Sequence, residues 1–183
     1  MNDKSEKEAD FGYKKVNPNE KPDLVKGVFD SVANKYDLMN DLMSVGIHRL
    51  WKKATVQMSN LKENDAVLDV AGGTGDLAIL FSEIVGNQGK DYLSDINEKM
   101  LEIGRDRVLD SGLLNVKSLV ADAEDLPFPD NSFDCISIAF GIRNVTNKDK
   151  ALKEFHRCLK PHGRLLVLEF SKPESSLISD LYD

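Results

Sequence analysis

An α/β fold with a doubly wound, mostly parallel sheet is the class this sequence predicts, on three observations. Strand-like apolar runs alternate with helix-like segments between residues 66 and 170, the order of a parallel sheet covered by helices on both faces. The first of these strands runs into a bare turn and then a helix, "LDVAGGTGDLA" at 68–78, the junction at which such sheets hold ligands. Acids stand at the ends of three successive strands: Asp69, Asp95 and Asp122.

The elements follow in order. Residues 1–22 mix Lys, Glu, Asp, Asn and Pro without periodicity and read as a mobile tail ahead of one domain, 23–183. From Pro22 the pattern turns helical, with Val25, Val28, Phe29, Val32 and Tyr36 on one face. A second helix spans Ile47–Met58 and carries the lone Trp51. These two helices, within about 23–58, are expected to cap the mouth of the domain. Strands are expected at 66–71, 90–94, 115–120, 134–139 and 164–170, with helices beginning near 75, 97 and 147. Gly112 and the Pro161–Gly163 turn read as helix stops. "RLLVLEF" at 164–170 has the continuous apolar character of a strand buried on both faces. Right-handed crossovers make the sheet doubly wound, with its ligand at the carboxyl ends of the strands near the switch in strand order.

Composition narrows the function. The chain has 183 residues, enough for one domain with a real core. Lys and Arg total 24 against 31 Asp and Glu, a net charge of -7 that repels nucleic-acid backbones. It also lacks the polybasic clusters that hold proteins on anionic lipid, and no apolar run approaches a membrane span. The start, "MNDKSEKEADFGYKK", has no signal-peptide core, so a cytoplasmic location is expected. Cys135 and Cys158 form no CxxC pair, and Cys135, in "CISIAF", reads as a buried free thiol. His48, His156 and His162 are scattered without ligand spacing, so no metal site is expected.

The glycine turn admits two ligand classes. Gly73-Thr74-Gly75-Asp76-Leu77-Ala78 satisfies a dinucleotide pattern, and Asp95 follows where that fold places its ribose-binding acid. The acids favour S-adenosylmethionine instead. Asp69 inside the strand and Asp76 at the helix start would repel a pyrophosphate and attract an ammonium and a sulfonium. One carboxylate at Asp95 can accept both ribose hydroxyls. Asp122 can accept from an adenine amino group, with Ala123 and Leu126 as an apolar wall. The competing reading, that Asp69 and Asp122 merely cap turns, stays open.

Longer stretches carry a family resemblance: "YDLMNDLMSVGIHRLWK" (36–52), "AGGTGDLA", "DAEDLPFPDNSFD", "FGIRNVTNKDKAL" and "RCLKPHGRLLVLEFSKP" (157–173). From Phe11 to about Pro173 the chain resembles the ubiquinone/menaquinone biosynthesis C-methyltransferases. The resemblance implies a Rossmann-like class I methyltransferase sheet and S-adenosylmethionine as cofactor. It further implies methyl transfer to a ring carbon of a polyprenylated benzoquinol or demethylmenaquinol. The family's cofactor positions carry over to Thr74, Asp95, Asp122 and Ala123, within a turn that includes Gly73 and Gly75. Many relatives have Asn at the place of Asp122, Ser at that of Ala139 and Gly at that of His162. The family continues past "SKP", so the chain is expected to lack its C-terminal strands, leaving the fifth strand as an open edge that self-associates.

Methylation at a ring carbon needs the neighbouring hydroxyl to lose its proton or its developing charge to be stabilised. Arg143 and Asn144, in "GIRNVT" after the fourth strand, stand where the acceptor should sit, and Arg143 is cast as phenolate stabiliser. A surface ion pair is the alternative role for Arg143. Tyr36 and His48 are candidate substrate contacts, Tyr36 with packing and His48 with a helix-end role as alternatives. A lipid substrate implies transient contact at the inner membrane face. Two other functions stay open: a cofactor-binding subunit without turnover, and a methyltransferase for another small lipid or phenol.

Overall fold

A computed structural model of the chain describes residues 9–11, 14–17, 19–32 and 47–169. In chain order the elements are β1 (Ala9–Phe11), β2 (Lys14–Val16), α1 (Lys21–Val32), α2 (Ile47–Met58), β3 (Ala66–Val70), α3 (Asp76–Val85), β4 (Lys90–Asp95), α4 (Glu98–Asp110), β5 (Val116–Val120), β6 (Phe133–Ala139), α5 (Lys148–Cys158) and β7 (Leu159–Leu168). A 3-10 turn, Ile142–Asn144, follows β6. Strands β3 to β7 form one parallel sheet in the order β5-β4-β3-β6-β7. The order reverses between β3 and β6, so their carboxyl ends diverge and open a crevice there.

Burial explains why these strands sit at the centre. All five residues of β3 are buried. On one face Leu68, Val70, Ile136 and Ile138 pack with Ala151, Phe155 and Cys158 of α5. On the other, Val67 and Cys135 pack with Val56 of α2 and with Leu77, Phe81 and Val85 of α3. Leu93 joins Ala78, Leu101 and Val108 beneath α3 and α4. Both cysteines are buried free thiols, and burial pushes the Cys135 thiol up to about 12. Side-chain caps fix two helix starts: Asn97 accepts from Met100 N, and Asn147 from Lys150 N. Gly112, at φ 72, ends α4 as expected, with its N–H donating to Leu109 O.

Three local expectations need revision. The segment read as a tail contains an antiparallel pair, Ala9 opposite Val16. Propensity missed it because two three-residue strands carry no measurable alternation. Helix α5 ends at Cys158, and Pro161–Gly163 lies inside β7, not at a helix stop. His162 there has φ 69, and the pairing with β6 shifts register between Phe133 and Cys135, the mark of a bulge. The run after it is not buried on both faces: Val167 is 48% exposed. Among the described residues β7 pairs only with β6 and ends the sheet. Residues 170–183, which include the end of the expected fifth strand, lie outside the described residues. No helix among the described residues is long and apolar enough to cross a membrane.

Candidate active site

A cavity of about 340 Å³ opens at the carboxyl ends of β3, β4, β5 and β6. Its floor is the turn after β3. Ala71, Gly73 and Gly75 have φ of 52, 54 and 82, and a left-handed Ala is a strain that persists only where its surroundings impose it. Gly72 N donates to Ser94 O and Gly75 N to Gly72 O, both at 2.9 Å. A Cβ on Gly72 would come within 2.5 Å of both Asp69 Oδ2 and Leu93 Cδ1. The backbone is bare because the Asp69 carboxyl occupies the space a side chain would take.

Sequence reading missed two supports of this turn. Gly104, in the middle of α4, presses on the carbonyl of Gly73, and a Cβ there would collide with it. Its signal was a glycine inside a helical pattern, which marks close packing. Gly141 lies where a Cβ would come within 2.7 Å of Ala71 Cβ, so the β6 end also fits against the turn.

The acids differ in their surroundings. Asp95 is 8% exposed and lines the cavity. Its Oδ2 accepts from Gly73 N at 2.9 Å and its Oδ1 from Asn97 N at 2.8 Å. Burial raises its pKa against those donors. Asp69 is 1% exposed, and Ser137 Oγ donates to its Oδ1 at 2.7 Å. Burial pushes its carboxyl up to about 7 despite that bond. Asp91, lower on the same face of the sheet, is fully buried with no hydrogen-bond partner for either carboxyl oxygen. Burial and the Asp69 charge hold it well above the usual range.

Asp76 is not the ligand-attracting charge the sequence suggested. Its Oδ2 accepts from Lys52 Nζ and its Oδ1 from Arg107 Nη2, both at 2.7 Å. Burial would raise its pKa, but the two cations together hold it below the usual value. Lys52 is on α2 and Arg107 on α4, so Asp76 spends its charge tying the cap helix to the body of the fold.

The remaining expected residues divide. Thr74, Gly73, Asp122 and Ala123 line the cavity. Asp122 is exposed and its Oδ1 accepts from Glu124 N at 2.9 Å, so it caps its turn and faces the cavity at once. Gly75 supports the turn from behind and opens α3. Leu126 is not part of the wall; it is 3% exposed within the core against α5. Ile96, Met100 and Phe140 supply apolar lining instead, and none of them carried a sequence signal beyond being near a strand end.

Asn144 lines the cavity but Arg143 does not. The Arg143 guanidinium pairs with Glu169 at 2.8 Å. Both residues belong to a 3-10 turn, where successive side chains diverge by a third of a turn, so one faces inward and its neighbour away. Lys21 Nζ donates to the carbonyls of Arg143 and Val145, fastening α1 over this segment. Beyond Lys21, α1 lends the cavity Asp23, Val25 and Lys26. Tyr36 lies outside the described residues, as does the side chain of His48 at the start of α2.

Charge decides between the two ligand classes. The lining carries six carboxyls (Asp23, Asp69, Asp76, Asp95, Asp122 and Glu124) against Lys26 and Lys52. A pyrophosphate would meet that field as a like charge, whereas an ammonium and a sulfonium would relieve the raised Asp69 carboxyl. Asp95 at the β4 end suits a ribose diol, and the apolar lining beyond it suits an adenine. S-adenosylmethionine fits these residues.

The comparisons agree with that fit. A ubiquinone/menaquinone biosynthesis C-methyltransferase UbiE of Marinomonas sp. is 58% identical over 184 residues, covering 100% of this chain and 73% of that protein. The protein of the same name from Teredinibacter turnerae is 60% identical over 174 residues, 94% of this chain and 70% of its own length. Among solved structures, a SAM-dependent methyltransferase from Aquifex aeolicus superposes with a TM-score of 0.63 at 33% identity, covering 68% of this chain and 66% of that one. Residues 14–183 match the ubiE/COQ5 methyltransferase family, and the chain belongs to it.

Proposed function

We propose that the protein transfers a methyl group from S-adenosylmethionine to a ring carbon of a polyprenylated benzoquinol or demethylmenaquinol. The observation that carries this reading is the acid-lined cavity at the β3–β6 switch point, in a chain similar along its whole length to proteins named for that reaction. The acceptor's prenyl tail resides in a membrane, so the reaction belongs at the membrane's inner face.

Bound in this cavity, the cofactor supplies an electrophilic methyl group. The chain's own residues position and polarise. Asp95 already accepts two backbone N–H bonds, and these hold its carboxylate still for two ribose hydroxyls. Asp69, poised near neutrality, is ionised by a cation arriving beside it and balances that charge. Asp122 and Ala123 border the adenine end. On the acceptor side, Asn144 offers an amide donor and Lys26 a positive charge to the ring oxygen that becomes negative when its hydroxyl loses the proton, before that charge flows into the ring as the carbon attacks. Arg143, paired with Glu169, orders the 3-10 turn that presents Asn144.

The test is incubation with methyl-labelled S-adenosylmethionine and a short-tailed demethylmenaquinol, followed by analysis of the ring. Menaquinol carrying the label in its ring methyl is expected. Asp95→Ala should weaken cofactor binding by about 1.5–3 kcal/mol through its lost charge-assisted bonds, and NADH should not compete. Cofactor binding with no methylated ring would establish the non-catalytic reading in its place.

A further inference from the structure

Helix α2 faces the wrong way for a helix that only packs. Leu50, Ala54 and Met58 follow one another at four-residue spacing, with Trp51 beside them, and form one apolar stripe. That stripe points outward: Leu50 is 66% exposed, Met58 64% and Trp51 38%, and Ala54 is exposed too. The opposite face, Lys52 and Val56, is turned toward the body of the protein. Only Val56 on it is buried, against Leu77 and Phe81. The face that hydrophobicity alone would bury is therefore the one presented to the surroundings.

Charge indicates what those surroundings are. Beside the stripe, a cleft between α2, α3 and α4 is lined by Arg49, Lys52, Lys53 and Arg107 against the single carboxylate of Asp76. That is a net positive patch on a chain of net charge -7. Of the four cations, Arg49 and Lys53 are exposed and flank the stripe on its Leu50 side. An apolar stripe bearing leucine and tryptophan, bordered by cations, is the pattern of a helix lying in a bilayer interface. A second copy of an acidic protein would supply neither the apolar depth nor the phosphates this arrangement suits.

We propose that α2 docks the protein on a bilayer of anionic lipid, with Leu50, Trp51, Ala54 and Met58 at the acyl boundary and Arg49 and Lys53 at the phosphates. The inference rests on the proposed lipid-borne acceptor and specifies how the protein meets it. Lys52 of the same helix lines the methyl-transfer cavity, so docking through α2 brings the cavity to the membrane that holds the acceptor.

Trp51 is the only tryptophan of the chain, so its fluorescence reports on this helix alone. Phosphatidylglycerol vesicles without quinol should shift its emission to the blue, and bromine on the acyl chains should quench it. Phosphatidylcholine vesicles should do so weakly, and inorganic phosphate not at all. Arg49→Gln with Lys53→Gln should weaken vesicle binding roughly twenty-five-fold, at about a factor of five per cation. Leu50→Glu should abolish it. None of these residues lines the methyl-transfer cavity, so methylation of a short-tailed, water-soluble quinol should be retained by each variant. Unchanged Trp51 emission with phosphatidylglycerol overturns the proposal, as does a blue shift that tracks protein concentration without lipid. If the soluble quinol is methylated and vesicles are ignored, docking alone fails. If vesicles bind and the quinol is not methylated, the catalytic reading fails alone.

Discussion

The two carboxylates that flank the glycine turn are handled in opposite ways. Asp69 precedes it, Asp76 follows it, and both line the same cavity. Asp69 has a hydroxyl partner and no adjacent ion pair, and burial lifts it to about 7. Asp76 sits between Lys52 and Arg107, and these hold it low against its own burial. One acid has a hydroxyl for its partner, where a cationic ligand can balance its charge, and the other is consumed in holding the cap. A carboxylate's role here follows from what other elements bring to it, not from its place beside the turn.

Stability against pH should show the contrast with opposite signs. The folded state holds the Asp69 proton above the pH at which the unfolded chain releases it, so this contribution is lost as pH rises from about 4 to 7. A shift of that size corresponds to roughly 4 kcal/mol. Asp69→Asn should lack that decline and melt higher than the parent at pH 8, while binding S-adenosylmethionine more weakly. Denaturant unfolding at pH 4 and pH 8 measures it, and parallel curves for parent and variant would show that Asp69 is not strained. In the parent, cofactor affinity should also rise with pH through about 7 as Asp69 ionises.

Asp76→Asn should do the reverse. Its lowered carboxyl stabilises the fold above the unfolded pKa and ceases to do so as pH falls through the folded value. Loss of the ion pairs should cost about 1–3 kcal/mol at pH 7 by leaving Lys52 and Arg107 without their shared anion. The difference from the parent should vanish in acid. A variant as stable as the parent at pH 7 would mean that Asp76 does not tie α2 down.

The smallest effect belongs to Arg143. Its side chain is 49% exposed in the pair with Glu169, and exposed pairs contribute about 0–1 kcal/mol. Arg143→Ala should lower stability within that range and change turnover by only a fewfold. Asn144→Ala should lower turnover by roughly tenfold or more. Equal losses in the two variants, measured as kcat with cofactor affinity unchanged, would bring Arg143 into the site.

Much of this was legible in the residues. The strands from β3 to β6, the helix starts near Asp76, Glu98 and Lys148, and the stop at Gly112 follow from periodicity, glycine and capping chemistry. The acids at strand ends marked the cavity, because a buried carboxylate demands a partner. Other features had no such trace. Arg143 and Asn144 are adjacent in sequence, and only the 3-10 geometry separates one from the other. The bulge in β7 depends on its pairing with β6, a contact between distant parts of the chain.

By itself the sequence determined the fold class, the glycine turn and the family, since each rests on local pattern: alternation, bare backbone and contiguous motifs. Tertiary structure alone decided which acid stays unpaired, which residue of "IRN" faces the cavity, and which face of α2 is left outside. Those outcomes depend on neighbours far along the chain: Lys52, 24 residues from Asp76; Arg107, 31 residues from it; and Ser137, 68 residues from Asp69. Local propensity has no term for such partners, and the electrostatics of a buried carboxyl is set almost entirely by them.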